Sequence, residues 1–250
     1  MLVTVPNTSI QWRSRIDQAI DSGSLLFHCQ PIFKIGIEIP YVFEVLVRLR
    51  ESNGEIIPAA RFINDVTPEQ LKAIDRAAVV GTLEHLQHST IPHAINLSGQ
   101  SLNDLQFPSF MTEQLSKSGI NPRLLYCEVT ETEALMLPST QVLSALRELR
   151  LPIGIDDFGV GYANIPAILA IEPDFLKVDG SIVRLMARDH WRECVVFGAM
   201  AIAHRRDIPI VLEHLESGAI EARAIALARH FPNLQQLVQG HLYGAATAGC

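Results

Sequence analysis

Leu151–Gly161 reads LPIGIDDFGVG: an apolar run ends in two adjacent carboxylates, Asp156 and Asp157, and opens into a glycine-flanked loop. A short apolar run bounded by turn residues reads as a buried strand, and paired acids at its exit call for a cation. The pattern recurs outward from this stretch. Glu44 in YVFEVLVR, Asn96 in HAINLSG, Glu128 in LYCEVTE and Glu213 in IPIVLEHLE close other apolar runs, and Lys177 in FLKVDG and Gln239 in LVQGHLYG occupy similar places. One charge inside an apolar run is usually a core residue held by a buried ion pair. A set that is nearly all acidic or amide needs more, because each unpaired buried carboxylate costs several kcal/mol. Gathered acids imply a metal, a shared proton, or both.

The runs LLFHCQPIF, YVFEVLVRL, HAINLS, LLYCEVTE, LPIGIDDF, DFLKVDG, IPIVLEHL and LVQGHLYG make about eight candidate strands, the number that closes an α/β barrel. Helical spacing of apolar residues separates most of them: Pro68–His88, capped by Thr67, then Ser101–Ser118, Ser139–Arg150, Ser181–Arg206 and Ser217–His230. The first connection, KIGIEIP, is shorter than the dozen or so residues a parallel crossover needs, so the first two strands should pair antiparallel. The expected fold is α/β, a modified TIM (β/α)8 barrel with one antiparallel strand. It forms a single domain over 1–250, with an N-terminal helix at about 9–21 packed on one end and the barrel at about 25–246. Strand ends converge on one mouth in such barrels, so residues far apart in sequence become one site.

Composition excludes several classes. Hydrophobic residues make up 48% and charged ones 19% of 250 residues, enough for a large core and unlike a disordered or fibrous chain. A net charge of -7 leaves no basic footprint for polymeric nucleic acid or an anionic membrane. Cys29, Cys127, Cys194 and Cys250 show no CxxC spacing and read as reduced core or terminal thiols. No signal peptide or membrane-span run is present, so the expected compartment is cytoplasmic.

Glu44, Asn96, Glu128, Asp156, Asp157 and Glu213 form an all-oxygen ligand set suited to Mg²⁺ or Mn²⁺ rather than zinc or copper. One Mg²⁺ takes only one or two protein acids, so the surplus suggests two ions, one carboxylate of the Asp156–Asp157 pair bridging them. Two ions can generate hydroxide and stabilise both attacking and leaving oxygens in an in-line displacement at phosphorus, which makes phosphodiester hydrolysis the expected reaction. Lys177 would position the water or neutralise the phosphoryl oxygens; its bland alternative is a salt bridge to a neighbouring acid. A barrel glycosidase would need only two acids, leaving the others unexplained, and the chain has 2 Trp for sugar stacking. A scaffold role gives no account of converging acids. His85 and His88, one helical turn apart, read as solvent-facing, and alternation turns His214 and His241 away from the ligand side. Gly159 and Gly161 read as a loop hinge or a plain turn.

Taken in order, the motifs resemble the EAL-domain family of bacterial cyclic-di-GMP phosphodiesterases. CQPIF resembles the family's YQPI, FEVLVR its EALLR, INLS its VNLS and CEVTETE its EITES segment. DDFGVGY resembles DDFGTGY, LKVDGS resembles LKIDRS, LEHLES resembles AEGVET and QGHLYG resembles QGYLF. The resemblance implies Mg²⁺- or Mn²⁺-dependent opening of cyclic-di-GMP to linear pGpG. Glu44, Asn96, Glu128 and Asp156 would hold one ion, with Asp156, Asp157 and Glu213 around the second, so that Lys177, Glu44, Glu213 and Asp157 carry the chemistry. Gln30, Arg48 and Gln239 would hold the nucleotide, with Asp179 and Glu216 in support and Glu131 anchoring the loop from Phe158 to Ile165. A homodimer and sensory or GGDEF domain partners are family expectations. Val45 stands at the signature alanine, Val160 at a usual threonine, and Ala163 and Asn164 at a usual Ser-Ser pair. Gly180 stands at a usual arginine, His214 at a glycine, and residues 244–246 lack the usual arginine and proline. These departures keep a second reading open, a cyclic-di-GMP receptor that hydrolyses slowly or not at all.

Overall fold

The computed structural model describes residues 9–51, 53–130, 133, 138–160 and 171–248. All eight expected strands form: β1 (Leu25–Lys34), β2 (Pro40–Arg50), β4 (His93–Asn96), β5 (Leu125–Thr130), β6 (Ile153–Phe158), β7 (Phe175–Val178), β8 (Ile210–Leu212) and β9 (Gln236–Val238). They close into a barrel in the order β1-β9-β8-β7-β6-β5-β4-β2, with β2 returning to β1. Strand β1 runs antiparallel to both neighbours, and the ladder from β2 through β9 is parallel. The short first connection is a hairpin turn, as its length requires. Two further strands escaped the sequence reading: β3 (Ile56–Pro58) extends β2, and β10 (Thr247–Ala248) extends β1. At three and two residues they are too short to show a period.

Period-two alternation builds the barrel interior in layers. Val42 and Glu44, Tyr126 and Glu128, Gly154 and Asp156, and Phe175 and Lys177 are i, i+2 pairs on one face of their strands. The lower members plug the barrel: Ile32, Val42, Val211 and Leu237 form a buried cluster with Tyr126 against it. Gly154 is required by this packing, since a Cβ there would lie 2.2 Å from the Phe175 ring. The outward face of the strands, including Val129, Ile155, Val178 and Leu212, packs with Leu143, Val196, Met200 and Ala224 of the surrounding helices.

The helix Pro68–Leu86 begins with a capping box between Thr67 and Gln70. Two expected helices are split. The Ser101–Ser118 stretch becomes Gly99–Leu102 and Phe107–Ser118, because Pro108 lacks the donor an uninterrupted helix would need and fits only a first turn. The Ser181–Arg206 stretch becomes Gly180–Val183 and His190–Arg206, because the Asp189 side chain accepts from the backbone N–H groups of Trp191 and Arg192 and starts a new helix. Thr140–Glu148 and Gly218–Ala228 fall within their expected spans. The N-terminal helix Ser9–Ser22 packs Trp12, Ile16 and Ala19 against Leu25, Leu49, Phe62 and Ile74, at the open end of the β1–β2 hairpin. The expectation of reduced thiols holds for Cys127 and Cys194 but not for Cys29, which is disulfide-bonded. Among the described residues no helix is long and apolar enough to cross a membrane.

Candidate functional site

At the C-terminal ends of the parallel strands, Lys177 is fully buried with its Nζ at the centre of four carboxylates. The distances are 2.9 Å to Glu128, 3.1 Å to Asp156, 3.1 Å to Glu213 and 3.5 Å to Glu44. Burial alone would lower the lysine's pKa, but Asp156, Glu128, Glu44 and Glu213 carry it well above the ordinary value, so it is a fixed cation. The sequence had left Lys177 between salt bridge and catalytic group; geometrically it is the hub of an ion-pair cluster whose acids come from β2, β5, β6 and the residue after β8.

Four carboxylates surround this one lysine, with Asp157 close by, and the acids feel the imbalance. Glu44 is the exception whose pKa is lowered: burial would raise it, but Lys177 and the side-chain amides of Gln239 and Asn96 hold it low. Asn96 Nδ2 donates to Glu44 Oε1 at 3.1 Å and Gln239 Nε2 donates to Oε2 at 2.5 Å. Glu128 is pushed well up by burial, which Lys177 only partly offsets while Glu44 and Asp156 add to it. Asp156 is raised for the same reasons. Glu213 rises to about 8, chiefly through burial, and Asp157 to about 6 through burial and the charges of Asp156 and Asp179.

The ligand atoms fall into two groups that share Asp156: Glu44, Glu128 and Asp156, and Asp156, Asp157 and Glu213, each mutually within 4.8 Å. Glu128 Oε1 is buried without a hydrogen-bond partner. Hard oxygen donors, surplus negative charge and an orphaned carboxylate oxygen are the chemistry a divalent cation satisfies, so these residues fit one. The strand exit supplies the spread of the second group, since Asp157 takes a left-handed backbone (φ 56) and donates its N–H to Asp156 Oδ1 at 2.9 Å.

The remaining expected residues lie around this centre with different partners. Gln30 Nε2 donates to the Gly244 carbonyl at 3.2 Å, and Gln239 is buried and spends its amide on Glu44. Arg48 lines a groove of about 430 Å³ beside Asn96 and donates to the Val47 carbonyl. Asp179 caps the Gly180–Val183 turn through Ser181 N–H, and Glu216 sits 3.7 Å from His241 on the surface. Glu131, Gly161, Ala163 and Asn164 lie outside the described residues, while Val160, on the described first part of that loop, is 57% exposed. His85, expected to face solvent, is half-buried with its ring 6.4 Å from that of His93.

Two acids at the groove were not singled out from sequence. Asp75, on the helix Pro68–Leu86, is buried and accepts from Ser98 N–H at 2.9 Å and Ser98 Oγ at 2.6 Å, pinning the turn after β4. Burial pushes its pKa to about 6 despite those bonds. Glu133 accepts from Gly99 N–H at 2.6 Å. The available signal for Asp75 was a single acid within the apolar stretch AIDRAAVV, a weak cue on a helix.

A mixed eight-stranded barrel with a carboxylate-ringed lysine at its C-terminal mouth is a metal-competent α/β barrel. The chain belongs to the EAL domain family, whose model matches residues 13–233. It is 29% identical over 239 residues to the cyclic di-GMP phosphodiesterase PdeF of Escherichia coli, covering 92% of this chain and 31% of that protein. It is also 29% identical over 227 residues to the cyclic di-GMP phosphodiesterase PdeB of Shewanella oneidensis, covering 87% of this chain and 26% of the relative. The chain thus spans less than a third of either relative. Its fold matches the FimX EAL domain from Pseudomonas aeruginosa bound to c-di-GMP with a TM-score of 0.84, at 21% identity, over 95% of this chain and 97% of that one.

Proposed function

We propose that this chain hydrolyses cyclic-di-GMP to linear pGpG with two Mg²⁺ or Mn²⁺ ions. The observation that carries the reading is the pair of ligand groups sharing Asp156 above the buried Lys177. Glu44, Asn96, Glu128 and Asp156 would hold one ion, and Asp156, Asp157 and Glu213 the other. Bound ions would supply a hydroxide at neutral pH and charge stabilisation at phosphorus.

The chain's own residues do the rest. Lys177, permanently charged, orients the attacking water and offsets charge on the phosphoryl oxygens. Gln239 and Asn96 each bond one oxygen of Glu44 and so fix its carboxylate plane. Arg48, on the groove beside Asn96, would engage the nucleotide together with Gln30, and Asp179 and Glu216 support the rim. Glu131 would anchor the loop that follows Phe158, with a homodimer partner, or a GGDEF or sensory domain, acting through that loop.

The test is incubation of purified chain with cyclic-di-GMP and Mn²⁺ or Mg²⁺, with an EDTA control, following pGpG by chromatography and binding by calorimetry. Metal-dependent pGpG is expected. A receptor reading draws on one observation, the exposed Val160 at a loop position where the family pattern has threonine; tight binding without turnover would favour it. In that case Val160→Thr should restore measurable turnover.

A further inference from the structure

The opposite end of the barrel holds a cavity of about 560 Å³ that the mouth chemistry does not use. Its walls come from the N-terminal ends of the strands and the turns leading into them. Tyr126 and Phe175 stand beneath Glu128 and Lys177 on the same strand faces, their rings 5.5 Å apart, and Tyr41 lines the same space. Three arginines converge on the same space: Arg123 from the turn before β5, Arg147 from the helix Thr140–Glu148, and Arg150 just beyond it.

The charge does not balance within the protein. Of the two carboxylates that line the cavity, Glu128 is ion-paired with Lys177 at 2.9 Å, while Asp174 accepts from the Ile153 N–H at 2.8 Å, a bond that does not cancel its charge, so three arginines face one acid that Lys177 does not already hold. Among the described residues none of the three arginines forms an ion pair. Arg147 Nη2 is buried and has no hydrogen-bond partner. A buried guanidinium N–H left unmade is costly, and its planar fork matches phosphate or carboxylate oxygens. In a chain of net charge -7, three unpaired guanidiniums around one cavity concentrate positive potential at a single place.

Arg150 is an exposed member of the trio, at the helix exit. It takes a left-handed backbone (φ 64) one residue past the helix's C-cap, where glycine is the residue without steric cost. A side chain there carries a local strain that glycine would not, so replacing Arg150 with glycine separates an effect on stability from an effect on binding.

We propose that this cavity binds an organic phosphate with a planar ring, of the size of a nucleoside monophosphate, the phosphate meeting Arg147 and its two neighbours and the ring lying against Tyr41, Tyr126 and Phe175. The volume is that of a site for a small organic ligand, and aromatic faces accept a base without regard to its hydrogen-bonding edge. The inference stands apart from hydrolysis at the mouth.

AMP is the probe, titrated calorimetrically into the intact chain, with adenosine and inorganic phosphate as its two halves. AMP should bind at one site about tenfold or more tighter than either half. Arg150→Gly should raise the melting temperature, by relieving the left-handed arginine, while weakening AMP about fivefold or more through loss of a charged donor. Arg147→Gln should weaken it similarly, and Arg48→Gln at the mouth should leave it unchanged. Absence of AMP binding, undiminished binding in Arg150→Gly, phosphate binding as tight as AMP, or loss of binding in Arg48→Gln would each overturn the assignment.

Discussion

The imidazole of His214 fills the space a side chain at position 180 would need: a Cβ on Gly180 would lie 2.4 Å from His214 Cγ and Nδ1. His214 itself sits at φ 52, a conformation that favours glycine. The family pattern has arginine at the first position and glycine at the second, so the two departures are one exchange, with bulk removed on one side and added on the other. Gly180→Ala should therefore lower the melting temperature, and His214→Gly in the same chain should restore it. A thermal double-mutant cycle should return a coupling of roughly 1–2 kcal/mol; additive effects would separate the two residues.

Glu128 presents a conflict between stability and function. Burial raises its pKa, with Glu44 and Asp156 adding to the effect, so folding disfavours its ionised form. A raised acid contributes stability at low pH and loses it as pH rises through the folded pKa. In EDTA, Glu128→Gln should therefore be more stable than the parent, increasingly so toward alkaline pH, by about 2–4 °C in Tm per kcal/mol regained. With saturating Mn²⁺ the order should reverse, and turnover should fall on the order of 10²-fold or more.

Asp75 offers a second pH window. Its folded pKa of about 6 lies above its ordinary 3.8, so its stabilising contribution is complete below about pH 4 and lost between about pH 4 and pH 6. Asp75→Asn keeps an acceptor for Ser98 but cannot ionise. The difference in unfolding free energy between the two proteins should shift by about 2–3 kcal/mol in favour of the variant across that window, read by urea melts at each pH.

Gly154→Ala tests the lower interior layer. With a Cβ 2.2 Å from the Phe175 ring, the ring or β6 has to move, at a cost of roughly 1–3 kcal/mol. Phe175→Leu in the same chain should recover part of that loss; equal stability of parent and Gly154→Ala would show that the layer is loosely packed.

What the sequence made legible follows from geometry. Most barrel strands carry their own period and hold a polar residue within or just after the apolar run, so the runs around Glu44, Glu128, Asp156 and Lys177 mark both the fold and the place where acids gather. The short KIGIEIP turn likewise dictated antiparallel pairing of β1 and β2. The helix breaks at Pro108 and Asp189 were written as local signals and overridden by longer apolar spacing. Strands β3 and β10 exist only through their partners, and the pairing of Gly180 with His214 is invisible until the chain closes. Arg123, Arg147 and Arg150 lie on a turn, a helix and its exit, so only topology brings them together. Asp75 resembled any solitary helix acid until Ser98 was seen against it.

Lys177 has a consequence for the order of events in making this protein. A cluster of acids that depended wholly on metal for neutralisation would tie folding to metal supply, as in small zinc domains that remain unfolded without their ion. Here the chain carries a cation of its own in the middle of the acids. The finished barrel should therefore be reachable in a metal-poor setting, and under the proposed metal reading a change in divalent-ion supply would alter how many copies are loaded rather than how many survive.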